Sequence, residues 1–112
     1  MADTPTSWLQ TASQRMTWLA ERQKVIAENI ANADTPGYNA RDVESFDDYL
    51  GKALGSAVSV IDAKSEWGRS LDGNGVILEE QSILAASVSG QYRLASKLYS
   101  KAHQMIATVN GK

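Results

Sequence analysis

Few side chains in this 112-residue sequence are of the kinds that carry out catalysis. There is one histidine, His103, and no cysteine. Thiolate chemistry, disulfides and Cys-ligated zinc are therefore excluded, and one imidazole supplies a single ligand where a transition metal takes several. A hydroxyl nucleophile activated by His103 would need an acid to orient the ring, and no acid lies near it in sequence. The two adjacent carboxylate pairs are Asp47-Asp48 and Glu79-Glu80. Neighbours in sequence point apart, and the second pair suits a helix N-terminus, where negative charge meets unpaired amides. No glycine-rich phosphate loop is present. The run Asp72-Gly73-Asn74-Gly75 lacks the alternating acids and closing glutamate of a calcium loop and reads as a turn. A net charge of −2 and a pI near 5.3 oppose nucleic-acid binding, which needs a basic surface. The residues predict no enzyme, no metal or cofactor, no small-molecule substrate and no nucleic acid.

The most distinctive stretch is Asn29-Ile30-Ala31-Asn32-Ala33-Asp34-Thr35-Pro36-Gly37-Tyr38. It reads as a helix end followed by an obligatory turn. Asn29 and Asn32 are placed to bond carbonyls that a helix end leaves unpaired. Pro36 forces Thr35 out of the helical region, and Pro-Gly suits the central positions of a type II turn.

Two long helical segments must position this turn. Residues 8–33 contain no glycine or proline, and Leu9, Ala12, Met16, Leu19, Gln23, Ile26, Ile30 and Ala33 recur at steps of three and four. Such a helix is about 39 Å long and cannot bury one stripe alone. Its predicted partner spans 78–109, with the row Leu84, Val88, Gln91, Ala95, Leu98, Ala102, Met105 and Val109. Antiparallel pairing that sets Ala33 near Leu84 brings Gln23 within about a turn of Gln91. The two glutamines then either help fix the register or are tolerated polar positions at a wet edge. Gly90 interrupts the second helix at a cost of about 1 kcal/mol. Close approach of another helix is one explanation for it.

Residues 1–7 form a polar arm, and 110–112 a short tail. The connector, 34–77, is irregular and acidic; Phe46-Asp47-Asp48-Tyr49-Leu50 fits a helical turn and Ala57-Val58-Ser59-Val60-Ile61 a short strand. Residues 34–80 hold ten acids against four bases, whereas 81–112 hold four bases and no acid. Arg93, Lys97 and Lys101 therefore stack along one helix face, either simply solvated or facing an acidic surface such as the connector of a neighbouring copy. Trp8, Trp18 and Trp67 are core or interface anchors. The expected fold class is mainly α: two long N- and C-terminal helices paired as an antiparallel coiled-coil-like hairpin, joined by the connector. No apolar run approaches the ~20 residues of a membrane span, and the first residues lack the regions of a cleaved signal peptide.

With these residues in view, the chain resembles the bacterial flagellar rod and hook proteins. The resemblance lies in Asn29-Ile-Ala-Asn32-Ala-Asp34-Thr35-Pro36-Gly37-Tyr38, continued by Asn39-Ala40-Arg41-Asp42 and Phe46. Within that family the continuation Ala-Asp-Thr-Pro-Gly-Tyr-x-Ala-Arg-Asp is most similar to proximal-rod members. A second signature, Asp72-Gly73-Asn74-x-Val76-x-Leu78-Glu79-Glu80, opens the second helix. Two departures stand out: Ile77 replaces an Asp that is usual in the family and able to cap that helix, and the connector is short.

The resemblance implies a structural subunit of the flagellar basal-body rod. It would polymerise with copies of itself and other rod proteins into the hollow drive shaft that transmits torque across the cell envelope. It further implies contacts at the membrane-ring and export-gate junction, passage through the type III export apparatus without a cleaved signal, a periplasmic rod location and no direct membrane insertion. On this reading Trp8, Trp18, Arg93, Lys97 and Lys101 are candidate contacts between subunits. A soluble helical-hairpin adaptor or chaperone, acting as a small oligomer, would share the heptads but would not need the Thr-Pro-Gly-Tyr turn.

Overall fold

The computed structural model describes residues 5–63 and 76–109. In chain order they form helix α1 (Pro5–Ala31), strand β1 (Arg41–Val43), helix α2 (Phe46–Leu50), strand β2 (Val60–Asp62) and helix α3 (Leu78–Val109). The protein is mainly helical, and its dominant packing is α1 against α3. The result is a rod-like body of 61 × 25 × 19 Å. The expected turn at Asp72-Gly73-Asn74 and the anchor Trp67 lie outside the described residues.

α1 begins at Pro5, three residues before the sequence-based start, because proline is pre-set for the first helical turn and the amide it lacks is unpaired there in any case. Its end follows from the turn chemistry. The Asn32 amide N–H bonds the carbonyls of Glu28 and Asn29, and the Asn32 side chain also donates to the Glu28 carbonyl at 2.9 Å. Thr35 Oγ1 donates to Asn32 Oδ1, and the Tyr38 N–H closes on the Thr35 carbonyl at 3.2 Å. Gly37 sits at φ +79°, a conformation that any Cβ would strain although the space around it is open.

The connector folds back on the helices. β1 and β2 pair antiparallel with Arg41 opposite Asp62 and Val43 opposite Val60. Between them, Ser45 caps α2 by accepting the Asp48 N–H at 3.1 Å, and Asp47 and Asp48 fill the first turn with favourable charge. The core joins all layers: Trp18, Leu19, Val25 and Ile26 from α1, Val43, Tyr49, and Val88 from α3, flanked by Ile30, Phe46, Leu84, Tyr92 and Ala95.

α1 buries two rows, not one. Leu19 and Ile26, with Ile30 packed beside them, share a core with Val88 of α3. A second row at the same steps, Trp18, Arg22, Val25 and Asn29, faces the connector: Trp18 reaches Glu44, Arg22 reaches Asp42 and Asn29 reaches Arg41. This second row explains how so short a connector holds its place.

The register of the helix pair differs from the sequence-based one. Asn29 meets Gln81 and Arg15 meets Gln91, so the helices are slid by roughly two turns from the pairing that would set Ala33 beside Leu84. Gln91 accepts from Arg15 at 3.4 Å and donates to Ser87, and no bond joins it to Gln23. Two heptad seams remain in phase after a one-heptad slip, so apolar spacing alone does not select one pairing.

Along α3 the seam turns outward. Val88 is buried, but Leu98 is 48 % and Met105 64 % exposed. A straight helix drifts by about 20° per heptad against a seven-residue repeat, so over three heptads the row rotates off the partner. Nor is Gly90 a point of close helix approach: a Cβ there would meet only Arg93 Nη2, at 3.9 Å.

Candidate functional site: the junction of helices and connector

The sequence motif converges on the side chain of Asn29, which is fully buried. Its Nδ2 donates to the Arg41 carbonyl and to Gln81 Oε1, both at 2.8 Å. Its Oδ1 accepts the Arg41 N–H at 3.0 Å and the Tyr38 hydroxyl at 3.4 Å. A primary amide has two donor hydrogens and two acceptor lone pairs, so this one is saturated. A single side chain on α1 thus holds the turn through Tyr38, β1 through the Arg41 backbone and the start of α3 through Gln81. Asn32, not Asn29, is the residue that caps the carbonyls at the helix end.

A second node lies further up α1. The Trp18 indole N–H donates to the Glu44 carbonyl at 2.7 Å, and its ring tilts against Phe46 with centroids 5.6 Å apart. The Arg15 guanidinium lies 5.1 Å from the Trp18 ring centroid and 4.9 Å from that of Phe46, and Arg22 lies 5.6 Å from Trp18. Each cation is thus placed against an aromatic quadrupole. Arg22 also forks onto Asp42, Nε to Oδ1 at 3.1 Å and Nη2 to Oδ2 at 3.3 Å, while Asp42 Oδ1 accepts the Val43 N–H at 2.7 Å.

The loop after α2 is tied by Glu44. Its Oε2 accepts from Lys52 Nζ at 2.6 Å and from the Ser59 N–H at 2.7 Å. Lys52 also donates to Ser59 Oγ and the Ala57 carbonyl. The Lys52 hydrogen bond, followed by that from the Ser59 backbone, holds the Glu44 carboxyl below its ordinary range, and these outweigh the opposing effect of desolvation. Among the described residues, no buried side-chain nitrogen or oxygen lacks a partner.

The remaining motif residues serve the turn or the surface. Asp34, Pro36 and Gly37 are exposed, as are Arg41, Leu78 and Glu79, and Glu80 is half-buried; Asp72, Gly73 and Asn74 lie outside the described residues. The first bond of α3 runs from the Gln81 N–H to the Ile77 carbonyl, so Ile77 holds the cap position. Of the helix-pairing positions, Leu19, Ile26 and Val88 are buried, and Leu9, Met16, Gln23, Ile30, Leu84, Gln91 and Ala95 are half-buried. Trp8, Arg93, Lys97 and Lys101 are exposed. Trp18, expected to meet another subunit, is instead buried within its own chain, with little surface left to offer. Arg15, Arg22, Glu44, Lys52 and Gln81 were not singled out in the sequence. Gln81 had a legible signal, since it extends the Leu84–Val88 row by one step.

The junction fastens elements together by hydrogen bonds, ion pairs and ring contacts. Among the described residues, no three of His, Cys, Asp and Glu are grouped to hold a metal. His103 lies exposed on α3 with its ring centroid 6.1 Å from that of Tyr99. No described helix is long and apolar enough to cross a membrane.

Residues 9–39, which span most of α1 and the turn through Tyr38, match the family model described as flagella basal body rod protein. The chain is 31 % identical to the flagellar basal body rod protein FlgB of Agrobacterium fabrum over 91 % of either chain. It is 48 % identical to FlgB of Escherichia coli over 39 % of this chain and 32 % of that one. FlgB of Salmonella typhimurium gives 46 % identity over the same shares.

Proposed function

The chain belongs to the flagellar basal-body rod protein family, and from that premise we propose that it is a subunit that polymerises with other axial proteins into the hollow drive shaft of the basal body. A structural role in the rod, beside other rod proteins, comes with the family. The observation that carries the proposal is the match to a FlgB over 91 % of both chains.

The mechanism is mechanical. Contacts between unlike surfaces of identical subunits generate a helical assembly when they do not close into a ring. A shaft under torque needs subunits that do not shear internally. The junction meets that need: Asn29, Trp18, Arg22 and Glu44 fasten the connector to α1, and Asn29 with Gln81 fixes α1 against α3. In the assembled rod the α1–α3 pair is the unit that bundles with its neighbours in coiled-coil fashion, and the Thr35–Tyr38 turn sets where the chain leaves that helical layer. The subunit reaches the periplasmic rod through the type III exporter and assembles at the junction with the membrane ring and export gate.

The test is complementation. In a host lacking its own proximal rod subunit, expression of this chain is expected to restore swimming in soft agar and to place the protein in purified basal bodies. A protein found only as a small soluble oligomer in the cytoplasmic fraction, with no rescue of swimming, would overturn the reading in favour of an adaptor.

A further inference from the structure

The described charges are segregated along the long axis of the molecule. From Pro5 to Ala20, α1 carries one charged residue, Arg15, already engaged with Gln91 and the Trp18 and Phe46 rings. From Gln81 to Val109, α3 carries Arg93, Lys97 and Lys101 and no acid. All three are exposed, and they run along the edge of an outward row formed by Leu94, Leu98 and Met105, also exposed. The other end is the reverse. The Asn29 contacts with Arg41 and Gln81 gather the end of α1, the strand pair and the start of α3 into one place. That brings Glu28, Asp34, Asp62, Glu79 and Glu80 to the same end, against two bases among the described residues, Arg41 and Lys24, the latter one helical turn from Glu28. Exposed apolar side chains accompany these acids as well: Ile61, Leu78 and Ile83.

We infer that the basic, apolar half of α3 docks on the acidic end of a second copy of this chain. Both patches pair an apolar centre with a charged margin, the anatomy of a protein interface, and their charges are opposite. The two surfaces are different parts of one molecule, so the contact is heterologous and leaves both outer patches free for the next copy. Each subunit overlaps its neighbour head to tail along the 61 Å axis. The inference rests on the rod reading in taking self-association as the purpose, and it adds which surfaces meet.

Sedimentation velocity of the full chain across a concentration series, at low and high salt, tests it. The wild type is expected to associate at low salt and to weaken as salt screens the charges. The variant R93E/K97E/K101E, and separately E28K/D34K/E79K, are each expected to associate roughly tenfold more weakly or worse, because each sets like charges together. Mixed in equal amounts, the two are expected to recover association, since each supplies the charge the other reversed. Circular dichroism confirms that the variants stay helical. A wild type that stays monomeric at low salt, reversal without effect, or no recovery on mixing each overturns the docking. Swimming rescue by the wild type scores the rod reading separately: rescue together with charge-insensitive association sinks the docking alone, and charge-dependent association without rescue sinks the rod reading alone.

Discussion

Asn29 and Gln81, 52 residues apart in sequence, share a buried hydrogen bond of 2.8 Å between Nδ2 and Oε1. Neither side chain is more than 2 % exposed. This bond is the one buried polar link between the two long helices, among the described residues. Slipping the helices by a heptad toward the pairing of Ala33 with Leu84 would set Asn29 beside Val88 and part the two amides, at a cost of about 1–3 kcal/mol for each buried group left unpaired. The pair therefore selects the register that the apolar seams leave open.

Asn29→Ala removes four hydrogen bonds at once and strands Gln81 Oε1 out of water. The expected loss is about 2–4 kcal/mol in urea denaturation of the chain. Combined with Gln81→Ala, the two losses are expected to be non-additive by about 0.5–3 kcal/mol. Strict additivity would mean that the two amides do not depend on each other.

Trp18→Phe keeps the ring between Arg15, Arg22 and Phe46 but deletes the donor to the Glu44 carbonyl. A loss of about 1–2 kcal/mol is expected, against about 3–5 for Trp18→Ala, which also empties the core. Equal losses for the two substitutions would show that the hydrogen bond, not the ring, carries the site.

Gly90→Ala should stabilise the chain by about 0.5–1 kcal/mol. The position is helical and the nearest atom to a new Cβ is a flexible guanidinium 3.9 Å away, so alanine gains helix propensity without a clash. A lowered thermal midpoint for this variant would show that the glycine is needed for a close contact after all.

The pH dependence has a definite sign. The Glu44 carboxyl is held below its ordinary 4.5 by Lys52 and the Ser59 amide. Folding therefore favours the ionised form, so the contribution is fully present above the unfolded value and is lost as the pH falls through the folded value. Stability measured from pH 7 downward should fall below about pH 4.5, and Lys52→Met should flatten that part of the fall. An unchanged slope in Lys52→Met would place the acid sensitivity at another carboxylate.

The helices and the turn were legible because their causes are local. Heptad spacing between the arm and Asn32 requires a helix, Pro36-Gly37 requires a turn, and both are properties of neighbouring residues. Phe46-Asp47-Asp48-Tyr49-Leu50 announced α2 in the same way, whereas its cap, Ser45, appears only in the structure. The connector-facing row of α1 was equally present in the spacing of Trp18, Arg22, Val25 and Asn29. The arginine and asparagine of that row find their partners 12 to 52 residues away, at Arg41, Asp42 and Gln81, so its buried character depends on the folded chain.

By itself, then, the sequence determined that two long helices flank a connector, that the first of them ends ahead of Pro36, the segregation of charge and the membership that the turn signature carries. Only the tertiary structure decided which heptad of α1 meets which heptad of α3, that Trp18 faces inward, and that the far half of the α3 seam turns out to solvent. The physical reason is that a heptad seam looks the same after a seven-residue slip. Its register is settled by a few long-range polar contacts, Asn29 with Gln81 and Arg15 with Gln91, and partners so far apart in sequence become visible only when the chain has closed on itself.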